Sequence, residues 1–347
     1  MKQLSKISMT TVVAAALVAV VVSGCGSEQT SSSNSSGSTP VSIALDWTPN
    51  TNHIGIFVAD QLGYYKDEGL DVKILPYANT APETLVARGK ADFGIGNQAG
   101  IAYARASGQD VLQVMANIAK TQYAIGVQAS NKALQSPKDL DGKTYAGFGT
   151  PDEGPELKYV IKADGGTGVF KTITLNTTAY EAVYNNTADF TIAVTTWEGV
   201  QAKLLGKPMR FFEFTDYGFP TQYSSVIESS NKYLEANPDT AKKFLAATQK
   251  GYQYAQDSPV EAAKLLTRAN PQAIKDIKLA EESAVLLASD GYYKGVGGKI
   301  GPVDPAIWEN YGSFLYSSKL LTGENGKPLA SEPDWSKFYT NDYLPGS

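Results

Sequence analysis

The chain has 347 residues, 42% of them hydrophobic and 19% charged, with a formal net charge of −5. That acidic balance excludes a nucleic-acid partner, which calls for a basic face. The length allows one to two domains, and the single cysteine, Cys25, excludes an internal disulfide.

Residues 1–24 carry Lys2 and Lys6, then a stretch of about a dozen apolar residues, then Val22-Ser23-Gly24, the layout of a secretory signal. The stretch is shorter than the roughly 20 apolar residues of a membrane span. Small residues directly before a cysteine resemble the bacterial lipobox, which implies a lipid on Cys25 and cleavage before it. Residues 25–40 read as a Ser-rich tether, too polar to offset the entropy of ordering. Such a segment spans roughly 20 Å.

From residue 41 the pattern alternates: VSIALD as a strand, a polar loop, HIGIFVADQLGYYKDEG as a helix, DVKILPY as a strand, PETLVARGK as a helix, ADFGIG as a strand, NQAGIAYARASG as a helix. Near residue 140 the order repeats through KTYAGFG, TPDEG, PELKYVIKADGG, KTITL, TAYEAVYNN, ADFTIAV and TTWEGVQAKLLG. Ala91-Asp92-Phe93 recurs as Ala188-Asp189-Phe190. Two α/β lobes follow. A helical tail, broken at Pro238 and Pro259, has no third β-rich repeat and is best used by packing back on the first lobe. The expected division is 41–125 with 220–347 for the first lobe and 126–219 for the second.

Alternating strands and helices imply mainly parallel sheets, whose ligands gather at the carboxyl ends of the strands. The loops to inspect are DWTPNTNH, GNQAG, GFGTPDEG and TTWEG, none of which contains Lys or Arg. An anion site usually recruits a basic side chain. Carboxylates, indoles and amides favour a neutral or weakly basic flat ligand, and an aminopyrimidine fits. Trp197 is expected to stack on the ring and Glu198 to accept from its amine. Trp47, Asn50, His53, Asn97 and Gln98 join the ligand edge, with the amides of Gly149 and Thr150 for a polar substituent. Duller roles compete: indoles packing between helix and sheet, Asp152 and Glu153 answering a helix dipole, Asn50 organising its turn, Asn97 capping a helix. One histidine, no second cysteine and no zinc-like or G-x-S-x-G spacing point away from an enzyme, a metal or a cofactor.

LDWTPNTNHIGIFVADQLGYYKDEGLDV, GKADFGIGNQ, SPKDLDGKTYAGFGTPDE, ADFTIAVTTWEG and FYTNDYLP together resemble the ThiY-type solute-binding lipoproteins for thiamine pyrimidine precursors, a family sharing ancestry with fungal hydroxymethylpyrimidine phosphate synthase. The resemblance covers nearly all of residues 41–345. It implies a type II periplasmic-binding-protein fold, two α/β lobes with a ligand cleft and two crossover strands, near residues 120–130 and 215–225. Tyr123, Tyr217 and Tyr223 would then sit at the hinge or cleft rim. It also implies a monomer, lipid-anchored on the extracytoplasmic face through Cys25, that binds a formylaminopyrimidine or hydroxymethylpyrimidine and serves an ABC permease and its ATPase. The synthase carries a lysine that holds pyridoxal phosphate and a histidine four positions later, and these places align with Gly96 and Gly100. Two alternatives stay open: the same fold with another heteroaromatic such as a flavin, or with a sulfonate- or nitrate-type anion. More remote is a pyrimidine synthase.

Overall fold

Short apolar runs become strands here and runs with helical spacing become the layers around them. The computed structural model describes residues 37–346 except Asn79. The signal segment, Cys25 and most of the expected tether therefore lie outside the described residues. The strands are β1 Thr39–Ala44, β2 Leu70–Leu75, β3 Phe93–Gly96, β4 Leu112–Ile118, β5 Tyr123–Gln128, β6 Thr144–Gly147, β7 Lys171–Thr174, β8 Phe190–Val194, β9 Met209–Glu213 and β10 Ser225–Ser229. β1 starts at Thr39, inside the segment expected to be tether, because Thr39 already pairs with Leu70 of β2.

Two five-stranded sheets result, ordered β2-β1-β3-β10-β4 and β7-β6-β8-β5-β9. The first three strands of each are parallel, and β10 and β5 run antiparallel to their neighbours. Replacing β1, β2, β3, β10 and β4 by β6, β7, β8, β5 and β9 turns one order into the other, so the sequence repeat is a repeat of topology. The recurring Ala-Asp-Phe has a matching physical role. Asp92 Oδ2 accepts from the Ser42 amide on β1 at 2.7 Å, and Asp189 Oδ2 accepts from the Thr144 amide on β6 at 2.8 Å. Each aspartate fastens its own strand to the neighbouring parallel strand, β1 or β6.

The chain passes between the sheets twice, over residues 119–122 after β4 and over residues 214–224 after β9. The boundary expected at 125/126 falls within β5, all of whose residues from Tyr123 to Val127 pair with β8. Tyr217 and Tyr223 lie in the second passage. The helical tail contains Asn231–Ala236, Pro238–Asp257, Pro259–Ala269, Ile277–Ser289 and Pro305–Ser317. Pro238, Pro259 and Pro305 each occupy a first helical turn, where the missing N–H costs nothing.

That tail does pack on the first sheet's layer. Helix Pro238–Asp257 crosses helix Ile54–Gln61 so closely that a Cβ on Gly251 would lie 2.0 Å from the Gly55 carbonyl oxygen. Both positions must be glycine for this approach. The expected single helix from His53 to Gly69 is broken at Gly63, whose φ of 78° ends helix Ile54–Gln61 before the turn Tyr64–Asp67. Among the described residues no helix is long and apolar enough to cross a membrane.

Candidate functional site

The loop after β1 is organised by its own polar side chains. Asn50 Oδ1 accepts from the Asn52 amide at 2.8 Å and its Nδ2 donates to the Thr48 carbonyl at 3.1 Å. His53 is fully buried; its Nδ1 accepts from the Asn50 amide at 3.3 Å, which leaves Nε2–H to donate to Asp46 Oδ1 at 2.8 Å. Both ring nitrogens, expected to face a ligand, are thus used within the loop, and the side chain left facing outward is Asp46, 30% exposed. Trp47 is half-buried, its ring 5.6 Å from Tyr77 and 6.1 Å, edge-on, from Phe148. Phe148 follows β6, so two aromatic rings from different lobes meet across the interlobe space.

The loop after β3 is similarly self-contained. Asn97 Oδ1 caps helix Gln98–Ala106 by accepting from the Gly100 amide at 2.8 Å. Gln98 is buried, with Nε2 donating to the Ile307 carbonyl and Oε1 accepting from the Tyr223 amide, both at 3.1 Å. Its amide ties the loop to the helical tail and to the second passage between sheets. Tyr223 is itself buried, and its hydroxyl accepts from the Asp304 amide at 2.7 Å.

In the second lobe the loop after β6 forms an anion nest. Glu153 Oε1 accepts from the amides of Phe148, Gly149 and Thr150 at 3.1, 2.9 and 3.0 Å and from Thr150 Oγ1 at 3.0 Å, while Oε2 accepts from Tyr145 Oη at 2.9 Å. Gly149 has φ 98°, the left-handed region that lets these amides converge. The amides of Gly149 and Thr150, expected to bind a ligand substituent, are therefore occupied by the chain's own carboxylate. The same filling closes this nest to an external anion.

The loop after β8 takes a π-helical turn, Thr195–Gly199, before helix Val200–Leu204. The wider turn places Trp197, half-buried, against the hydrophobic cluster of the first lobe. Glu198 is buried, and its Oε2 accepts from the Val194 amide at 3.1 Å. Burial pushes its carboxyl up to about 7 despite that bond. Tyr123, on β5, is half-buried and donates to the Ser224 carbonyl at 3.3 Å. Its phenol is raised by burial first and then by the fields of Asp46, Asp152, Glu156 and Glu198, so carboxylates of both lobes converge on it.

A buried relay joins these loops. Gln122, wholly buried in the first passage, donates through Nε2 to Asn52 Oδ1 at 2.9 Å and to Thr196 Oγ1 at 2.5 Å, and accepts through Oε1 from Ser224 Oγ at 3.0 Å. Thr196 also accepts, through its carbonyl, from Ser283 Oγ, which lies 2.6 Å from Thr51 Oγ1. On another face Tyr311 Oη and Gln222 Nε2 donate to Glu156 Oε1 at 2.8 and 3.1 Å. Sequence reasoning missed Gln122, Glu156 and Ser283, because nothing local distinguishes a Gln in a crossover or an acid on a helix from a surface residue. A groove of about 790 Å³ runs behind the Thr195–Gly199 turn, lined by Val200, Phe211, Val285 and Tyr292 among others, away from Trp47 and Tyr123.

Comparison with known proteins places this geometry. The sequence pattern of the family described as NMT1/THI5 like matches residues 50–262. The chain is 27% identical over 307 residues to a formylaminopyrimidine-binding protein of Halalkalibacterium halodurans, covering 86% of this chain and 90% of that protein. It is 24% identical over 323 residues to the 4-amino-5-hydroxymethyl-2-methylpyrimidine phosphate synthase THI11 of Saccharomyces cerevisiae, covering 88% and 87%. Among solved structures it is similar to the alkanesulfonate-binding protein SsuA of Xanthomonas axonopodis pv. citri bound to MOPS, with a TM-score of 0.62, 14% identity, and coverage of 88% and 98%. The fold is the type II periplasmic-binding-protein fold.

Proposed function

The chain belongs to the NMT1/THI5-like family, and from that premise we propose that it is the solute-binding component of an ABC importer, capturing a thiamine pyrimidine precursor between its lobes. The observation that carries this reading is the meeting of Trp47 from one lobe with Phe148 from the other at 6.1 Å, beside carboxyl groups and in loops that lack Lys and Arg. A flat ring reaching this point gains aromatic contact from both lobes, and its exocyclic amine finds acceptors in Asp46 and Glu198. Trp197 and Tyr123 serve as further walls. Binding across two lobes stabilises their closed arrangement, and a permease that recognises that arrangement receives only loaded protein. Lipidation at Cys25 would hold the receptor on the extracytoplasmic face, with the permease and its ATPase as partners.

The receptor reading is favoured over the synthase by two glycines. Gly96 and Gly100 stand where the resemblance places the cofactor lysine and the consumed histidine of the fungal enzyme, and the space over Gly96 is filled by carboxyl oxygens of Glu228 and Glu83 and that over Gly100 by Glu83. The nest filled by Glu153 argues equally against a sulfonate or nitrate. Calorimetric titration with formylaminopyrimidine and hydroxymethylpyrimidine tests the proposal. Micromolar or tighter binding is expected, and heats only with flavins or sulfonates would replace it. Mass spectrometry of small molecules carried through purification gives an independent answer.

A further inference from the structure

Glu228 lies on β10 directly opposite Gly94 of β3, fully buried, and neither of its carboxyl oxygens has a hydrogen-bond partner among the described residues. Glu83, in the first turn of helix Pro82–Ala87, is its neighbour and is 7% exposed. A Cβ on Gly96 would stand 2.6 Å from Glu228 Oε2 and 3.1 Å from Glu83 Oε1, and one on Gly100 would stand 2.1 Å from Glu83 Oε1. Gly94, Gly96 and Gly100 therefore form a bed that two carboxyl groups fill. Asp46 completes the group from the loop after β1, close enough that its field acts on both glutamates.

Buried polar groups are almost always hydrogen-bonded, and an exception asks for a missing partner. An anion is excluded by like charge. Among the described residues no group of acids, histidine or cysteine is arranged to hold a metal ion. A ligand bearing several N–H donors would satisfy such carboxyl oxygens. Burial holds both glutamates above the usual carboxylate range, Glu228 the more strongly. The pair can therefore accept from a neutral amine while one member keeps its proton.

We propose that Glu83 and Glu228, with Asp46 at the mouth, form the pole of the cleft that receives the amino edge of the ligand, a flat heteroaromatic amine or amidine. This rests on the reading of the chain as a small-molecule receptor and specifies which lobe reads the amine. The first lobe does so chiefly through Glu228, whose two oxygens have no partner among the described residues, while Asp46 already accepts from His53. Glu198 of the second lobe already accepts from the Val194 amide and contributes from the opposite side.

The test titrates wild type, Glu228→Met and Glu83→Gln with three probes: 4-amino-5-hydroxymethyl-2-methylpyrimidine, its 4-oxo counterpart and benzamidine. Glu228→Met keeps the volume and removes both oxygens, and since it loses no internal partner its melting temperature should equal or exceed that of wild type. Wild type should prefer the amino over the oxo pyrimidine by about tenfold or more, the worth of one well-made buried hydrogen bond to a charged group. Both variants should reduce that preference to less than about threefold. Equal binding of the amino and oxo pyrimidines by wild type overturns the pole while leaving pyrimidine capture intact. Binding of benzamidine alone, lost in Glu228→Met, keeps the pole and removes the pyrimidine. Binding of no probe, an unchanged preference in Glu228→Met, or a lower melting temperature for that variant each overturns the proposal.

Discussion

Two buried glutamates, one in each lobe, make an instructive pair. Glu153, in the second lobe, receives five hydrogen bonds from its own loop, strand and neighbouring hydroxyl. Glu228, in the first, receives none and is more deeply buried. The same side chain is a structural pin in one lobe and an unsatisfied acceptor in the other. Its role is set by the donors within reach, and burial alone does not distinguish the two.

The comparison breaks first on stability. Glu153→Ala strips a partner from three amides and two hydroxyls and should cost about 3 kcal/mol in urea unfolding, whereas Glu228→Met should cost nothing. Equal losses would show that Glu228 has an internal partner after all. It sharpens next on pH. Glu83, Glu198 and Glu228 have raised carboxyls, so the folded chain holds protons that the unfolded chain releases. Stability should therefore be fully present near pH 4.5 and decline as pH rises through about 7. Glu198→Gln should remove up to about 3 kcal/mol of that decline, measured as the change in unfolding free energy between pH 5 and 8.

Ligand affinity gives a smaller effect. Trp197→Ala and Glu198→Gln should each weaken pyrimidine binding by at least tenfold, about 1.4 kcal/mol, and unchanged affinity in both would move the site elsewhere. Smallest is Ser283→Ala, which cuts the relay from Thr51 to Thr196 and should cost about 1 kcal/mol of stability. Its specific signature is a lower fraction of closed protein in scattering or interlobe distance measurements, with the ligand contacts themselves intact.

Much of the architecture was legible before the coordinates. Ala-Asp-Phe, seen twice, marks equivalent aspartates that brace equivalent strands, and the prolines at 238 and 259 mark real helix starts. β4 and β10 escaped the periodicity reading because every residue in them is buried, which erases the alternation that identifies a half-exposed strand. The loops were found, but their internal bonds were not. The duller reading of Asn97 as a cap describes what it touches, whereas Glu153 stands in a first helical turn but accepts from the loop ahead of it. No local signal reveals Glu228: it stands in SSVIESS, and only the glycines on the facing strand, some 130 positions earlier, explain how it fits.

The exchange of strands between the sheets also dictates an order of assembly. Every strand of the second sheet lies between Tyr123 and Glu213, so that half of the molecule can finish as soon as its own segment is available. The first sheet begins at Thr39 and waits for Ser225–Ser229 to fill the place between β3 and β4, and then for the helices behind it. Pairings of such long sequence separation form slowly. The half made first is therefore the half completed last, and during that interval its apolar strands β3 and β4 present unpaired edges to any chaperone or protease nearby.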